Sequence, residues 1–151
     1  MFVQTQFSIF LVNKPGVLAM VTGALAKAKI NILALTLMDS MEHGVLRVVT
    51  DNPDATRKIL GKTHDRWTET DVLVLELPNE PGAFAHIAQH LADAHINISY
   101  AYCTGGAPGG RTTAVFKVAD LKKAHKVLEG SRSIGRKPAF PVKPPPQRHG
   151  G

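Results

Sequence analysis

Apolar and polar positions along the chain follow two periods. "FSIFLV" (7–12) and "VLVLEL" (72–77) are near-continuous apolar, β-branched runs and predict strands. After each strand the period lengthens. Val17, Leu18, Val21, Leu25 and Ala28 recur at helical spacing, and so do Phe84, Ile87, Ala88, Leu91 and Ala94. "INILALTLM" (30–38) and "INISYAYCT" (96–104) predict the next strands, with "GVLRVVT" (44–50) and "RTTAVFKV" (111–118) behind them. Second helices are expected over "PDATRKIL" (53–60) and "DLKKAHKVL" (120–128), the latter with Leu121, Ala124, Val127 and Leu128 on one face. Asp54 and Asp120 stand near their starts, where the helix dipole favours an acid. A last strand fits "RWTETD" (66–71) well and "SIGRKPAF" (133–140) poorly. No turn signal separates "RWTET" from "DVLVLEL", so one long, bent strand is expected to run through both.

The two halves are copies. Residues 13–35 and 79–101 match at an offset of 66 with ten identities in 23 positions. "NKPGVLAMVTGALAKAKINI" and "NEPGAFAHIAQHLADAHINI" show it directly. A repeat of this density is one structural unit written twice. The element order predicts an α+β fold of two ferredoxin-like βαββαβ units, antiparallel sheets with their helices on one face. The expected boundaries are 1–71 for the first unit, 72–137 for the second, and 138–151 for a Pro-rich basic tail predicted to be disordered. Ile32 and Ala34 alternate with Leu33, Leu35 and Leu37, and Val72 and Val74 with Leu73, Leu75 and Leu77. Both sheet faces are therefore apolar, and the helix-free one should be covered by the sister unit or by another chain.

Charge narrows the partners. The formal net charge is +6, but residues 131–151 hold five basic residues and no acid. The remaining body carries thirteen basic against twelve acidic residues, which does not suit nucleic-acid binding. "RTTAVFKV" also lacks the paired aromatics of an RNA-binding strand. One cysteine, Cys103, excludes an internal disulfide and suits a cytoplasmic, reducing setting. No apolar run reaches the length of a membrane span. No paired carboxylates, nucleophile–base pair or metal cluster stands out, so no catalytic role, cofactor or metal is expected.

Asn-x-Pro-Gly before a helix, then Ile-Asn-Ile opening the next strand, within a βαββαβ unit, resembles the ACT domain. The resemblance covers roughly residues 3–137 as a tandem pair. It implies a non-catalytic regulatory protein that binds a small ligand, an amino acid above all, between ACT units. It also implies a homodimer or other homo-oligomer, with output through a partner enzyme of amino-acid metabolism. The ligand positions it implies are Asn13, Pro15, Gly16 and Asn31 in the first unit and Asn79, Pro81, Gly82 and Asn97 in the second. Chemistry agrees with that assignment. A helix N-terminus after Pro-Gly offers amides to a carboxylate, and an Asn side chain can donate or accept. The asparagines could equally be structural caps, and the pair could be a protein-binding scaffold without a ligand. Two departures stand out. Leu11 and Leu77 occupy the places where some serine-responsive ACT domains carry His. Lys29 and His95 replace the usual helix-ending Gly and must adopt its conformation.

Other features read more plainly. His86, His90 and Asp93 share a helix face at a spacing that could hold a metal, and a solvated polar face explains them as well. "TGGAPGGR" (104–111) predicts a flexible hairpin loop that could lie over the second unit's site. Arg47, Arg66 and Arg111 lie among strands, where surface roles are expected.

Overall fold

The computed structural model describes residues 1–39, 43–63, 66–106 and 109–129. The first unit runs β1 (Phe2–Val12), α1 (Val17–Lys27), β2 (Ile32–Asp39), β3 (His43–Thr50) and α2 (Pro53–Thr63). A single strand, β4 (Arg66–Pro78), then passes into the second unit, which continues with α3 (Ala83–Asp93), β5 (Ile98–Cys103), β6 (Arg111–Val118) and α4 (Leu121–Glu129). The long strand expected across "RWTET" and "DVLVLEL" is present. "SIGRKPAF" and the Pro-rich tail lie outside the described residues.

All six strands form one antiparallel sheet in the order β2-β3-β1-β4-β6-β5. At its centre β1 pairs with β4 along two stretches. Phe7 to Phe10 pair with Glu69 to Arg66, which closes the first unit. Phe2 to Gln4 pair with Val74 to Val72, on the flank of the second unit's first strand. The chain's opening residues thus fill the fourth-strand place of the second unit, and β1 and β4 each belong to both units.

Register also fixes the faces. Val3 stands opposite Leu73 and Phe7 opposite Glu69, so odd-numbered positions of β1 and β4 share one face. That face carries two helix-covered cores. Phe7, Ile9, Leu11, Val21, Leu46, Val48 and Leu60 fill the first. Leu73, Leu75, Leu77, Ile87, Leu91 and Phe116 lead the second, where the Phe84 ring stacks on Phe116 at 5.1 Å.

The helix-free face is not bare. Ala34, Val49, Val72, Val74 and Val115 are buried together, with Leu33 and Tyr102 packed against them. β2 and β6 are separated by three strands in the sheet yet touch, so the sheet curls and each unit covers the other. Polar groups close this seam. The buried Gln6 donates through Nε2 to the Tyr100 hydroxyl at 2.6 Å and accepts from the Tyr102 hydroxyl at 2.8 Å. The Arg47 guanidinium lies 4.0 Å over the Tyr100 ring. Burial pushes the Tyr102 hydroxyl well above the usual tyrosine range.

The helix ends behave as the sequence predicts. Lys29 (φ 58°) and His95 (φ 57°) adopt the left-handed conformation. In each case the next residue bonds back: Ile30 N–H to Leu25 O at 3.0 Å, and Ile96 N–H to Leu91 O at 2.9 Å. This is the Schellman arrangement, built without glycine.

Candidate functional site

The repeated turn folds the same way twice. Gly16 and Gly82 precede their helices at φ 88° and 87°, a region that an L side chain reaches only under strain. The first helical bonds then form, Met20 N–H to Gly16 O at 3.0 Å and His86 N–H to Gly82 O at 2.9 Å. The N-cap residues are Gly16 and Gly82, which bring no side-chain cap, and Asn13 and Asn79 stand three residues before them. The amides of the first turn of α1 are therefore left to whatever lies in front of the helix.

What lies there differs between the units. In the first, a pocket of about 270 Å³ opens between the turn, the start of α1 and the end of β2. Asn13 and Lys14 line it from the turn, Val17 and Leu18 from the helix, and Leu37, Met38 and Asp39 from β2. Leu37, whose side chain faces the helix, is apolar yet 48% exposed. In the second unit the Asn79 side chain donates to Gly106 O at 2.7 Å. Its backbone N–H reaches Gly110 O at 2.8 Å, and its carbonyl accepts from Gly109 N–H at 3.4 Å. The Gly-rich loop is thus laced to the turn. Gly106 is required in this arrangement, because a Cβ there would sit 2.4 Å from Arg111 O.

The turn residues and the strand-opening asparagines do not meet. Asn31 and Asn13 lie at opposite ends of α1, eleven residues or about 16 Å of helix apart. Asn31 holds the β2–β3 end instead: its N–H reaches Asp51 Oδ1 at 3.0 Å, and its carbonyl accepts from Asp51 N–H at 3.0 Å. Asn97 does the equivalent, accepting from Ala119 N–H at 3.0 Å. Pro15 and Pro81 are exposed beside their glycines, and Gly82 is half-buried.

Lys14 and Asp39 are site residues that the repeat alone did not single out. The signal was present as a difference between copies. Position 14 is Lys where its counterpart is Glu80, and position 39 is Asp where its counterpart is Gly105.

The remaining candidates resolve individually. The His86 and His90 Nε2 atoms lie 3.2 Å apart, and Asp93 accepts instead from Gln89 at 2.7 Å. Among the described residues no three His, Cys, Asp or Glu side chains form a metal-holding group. Cys103 is exposed. Arg111 pairs with Glu76 at 3.2 Å, and Arg66 lines an open groove with Phe10 and Trp67. No helix among the described residues is long and apolar enough to cross a membrane.

Comparison with known proteins follows the same lines. No curated protein matches the sequence. A solved structure of a Bacteroides thetaiotaomicron protein is 34% identical, with 85% of this chain and 88% of that one covered and a TM-score of 0.78. The ligand-free regulatory subunit of aspartate kinase from Thermus thermophilus shares the fold at 13% identity, with 86% and 92% covered and a TM-score of 0.61. The aspartokinase alpha and beta subunits share it at 18% identity, with 86% and 96% covered and a TM-score of 0.56. Residues 1–132 match the ACT domain pair family, and the chain belongs to that family.

Proposed function

We propose that this protein is a non-catalytic regulator that binds a free amino acid at the first unit's turn and passes the signal to a partner. The observation that carries this reading is the 270 Å³ pocket in front of an uncapped helix, lined by charges of both signs. A free amino acid is a zwitterion. Lys14 and the α1 amides suit its carboxylate, Asp39 suits its ammonium, and Asn13 can serve either group. Pro15 and Gly16 set the turn. The second unit's equivalent place, around Asn79, Pro81 and Gly82, is engaged by its own loop and carries Glu80 where a carboxylate would approach, and Asn97 lies at the far end of α3. Its role in this reading is structural.

Asn31 enters through a second copy. β2 is an edge strand with Leu35, Leu37 and Met38 exposed. Two β2 strands paired antiparallel about Leu35 would set Asn31 of one copy opposite Asp39 of the other, at the rim of the pocket. A homodimer of this form puts the ligand between ACT units. Binding would then shift the packing of the copies through its different affinity for each arrangement. The aspartate kinase likenesses support a partner enzyme of amino-acid metabolism, and the lone exposed cysteine supports a cytoplasmic setting.

Calorimetric titration with an equimolar mixture of the twenty amino acids, against nucleotides as controls, tests the reading. Saturable heat from the mixture alone supports it. Silence with both leaves the chain a protein-binding scaffold and overturns it.

A further inference from the structure

We infer that the amino acid taken by the first unit has an apolar side chain. This rests on the reading above and names the ligand's chemical class. Among the described residues that line the pocket, Lys14 and Asp39 are the charged ones. The α-carboxylate and α-ammonium use both. A ligand with a charged side chain would bring a third charge with no opposite charge left to meet it. Partial desolvation of such a group against apolar walls, with no partner among these residues, disfavours it.

The walls point the same way. On the helix-covered face the lining is Leu11 and Leu37 from the sheet and Val17 and Leu18 from α1; the side chains of Val12 and Met38 point to the other face. Leu37 stays about half exposed in the free chain, and Val17 and Leu18 are partly exposed, although nothing in their own chemistry favours water. An apolar side chain between them removes apolar surface from water on both partners. Size agrees as well. At about 270 Å³ the pocket falls just below the range of drug-sized sites, which suits an amino acid. The second unit offers no such combination, since Glu80 and Gly105 replace the two charges.

The test is the thermal unfolding midpoint of the full chain with each amino acid added singly at one concentration. Valine, leucine, isoleucine, methionine or phenylalanine should give the largest rise, and lysine, arginine, aspartate and glutamate none. Leu18→Ala should weaken binding of the best ligand about tenfold, as expected for loss of a buried apolar contact. Leu37→Thr, on an exposed strand position that the fold tolerates, provides the same readout if Leu18→Ala does not fold. A largest rise with a charged or small polar amino acid would overturn this inference and leave the amino-acid reading standing. No rise with any of the twenty would overturn both.

Discussion

The two Asn-x-Pro-Gly turns share a backbone and differ in what their asparagines do. Gly16 and Gly82 agree in φ to within a degree, and both helices begin without a side-chain cap. Yet Asn13 faces a pocket while Asn79 is bonded to Gly106, Gly109 and Gly110. The difference comes from outside the repeated motif. The second unit's strands β5 and β6 are joined by a Gly-rich segment long enough to reach the turn, and the first unit's counterpart is shorter. Duplication preserves a geometry. Divergence in a neighbouring loop decides whether that geometry remains open to a ligand.

The strongest way to break the comparison is to unfold one unit without the other. Phe116 is fully buried in the second unit's core, and Phe116→Ala should cost about 3–5 kcal/mol. Because β1 and β4 run through both units, the first unit should fall in the same transition. Trp67, the single tryptophan, reports on the first unit by fluorescence. Its urea midpoint should drop together with the far-ultraviolet circular dichroism midpoint. A Trp67 midpoint left at the wild-type value would mean that the units are independent.

The seam comes next. Gln6→Ala removes the partner of two tyrosine hydroxyls and should cost about 1–3 kcal/mol in the same denaturation assay. The seam should weaken at high pH as well. Burial raises the Tyr102 pKa above its unfolded value near 10. Its contribution is therefore full below about pH 10 and is lost as pH rises toward the folded value. Tyr102→Phe should flatten the alkaline limb of the stability curve.

The smallest effects are the most symmetric. Lys29→Gly and His95→Gly relieve the same left-handed strain in each unit and should each stabilise by about 0.5–1 kcal/mol. Thermal midpoints of the two single variants should rise by similar amounts. A rise in only one would show that the units' helix ends are not equivalent.

Most of the architecture was legible in the sequence because it rests on local signals. Period changes marked the strands and helices, and the 66-residue repeat gave the unit. Even the strained ends at Lys29 and His95 followed from the place they occupy before Ile-Asn-Ile. What was hidden depends on long-range pairing. Nothing local marks Phe2–Gln4 as partners of Val72–Val74, although that pairing puts β1 on the flank of the second unit's first strand. Gln6 looked like one polar residue in an apolar strand, and its meaning lies 94 residues away at Tyr100. The site was half legible. The turn itself was plain, but its distance from Asn31 along α1 and the lacing of Asn79 to the Gly-rich loop required three dimensions.

One titration tests the central claim most directly. The best amino acid ligand is titrated calorimetrically into the wild-type chain, Asn13→Ala and Asn79→Ala. The account predicts one site per chain, weakened about tenfold or more by Asn13→Ala and unchanged by Asn79→Ala, which should lose only about 1 kcal/mol of stability. Binding that survives Asn13→Ala and is lost with Asn79→Ala would place the ligand in the second unit and contradict the account.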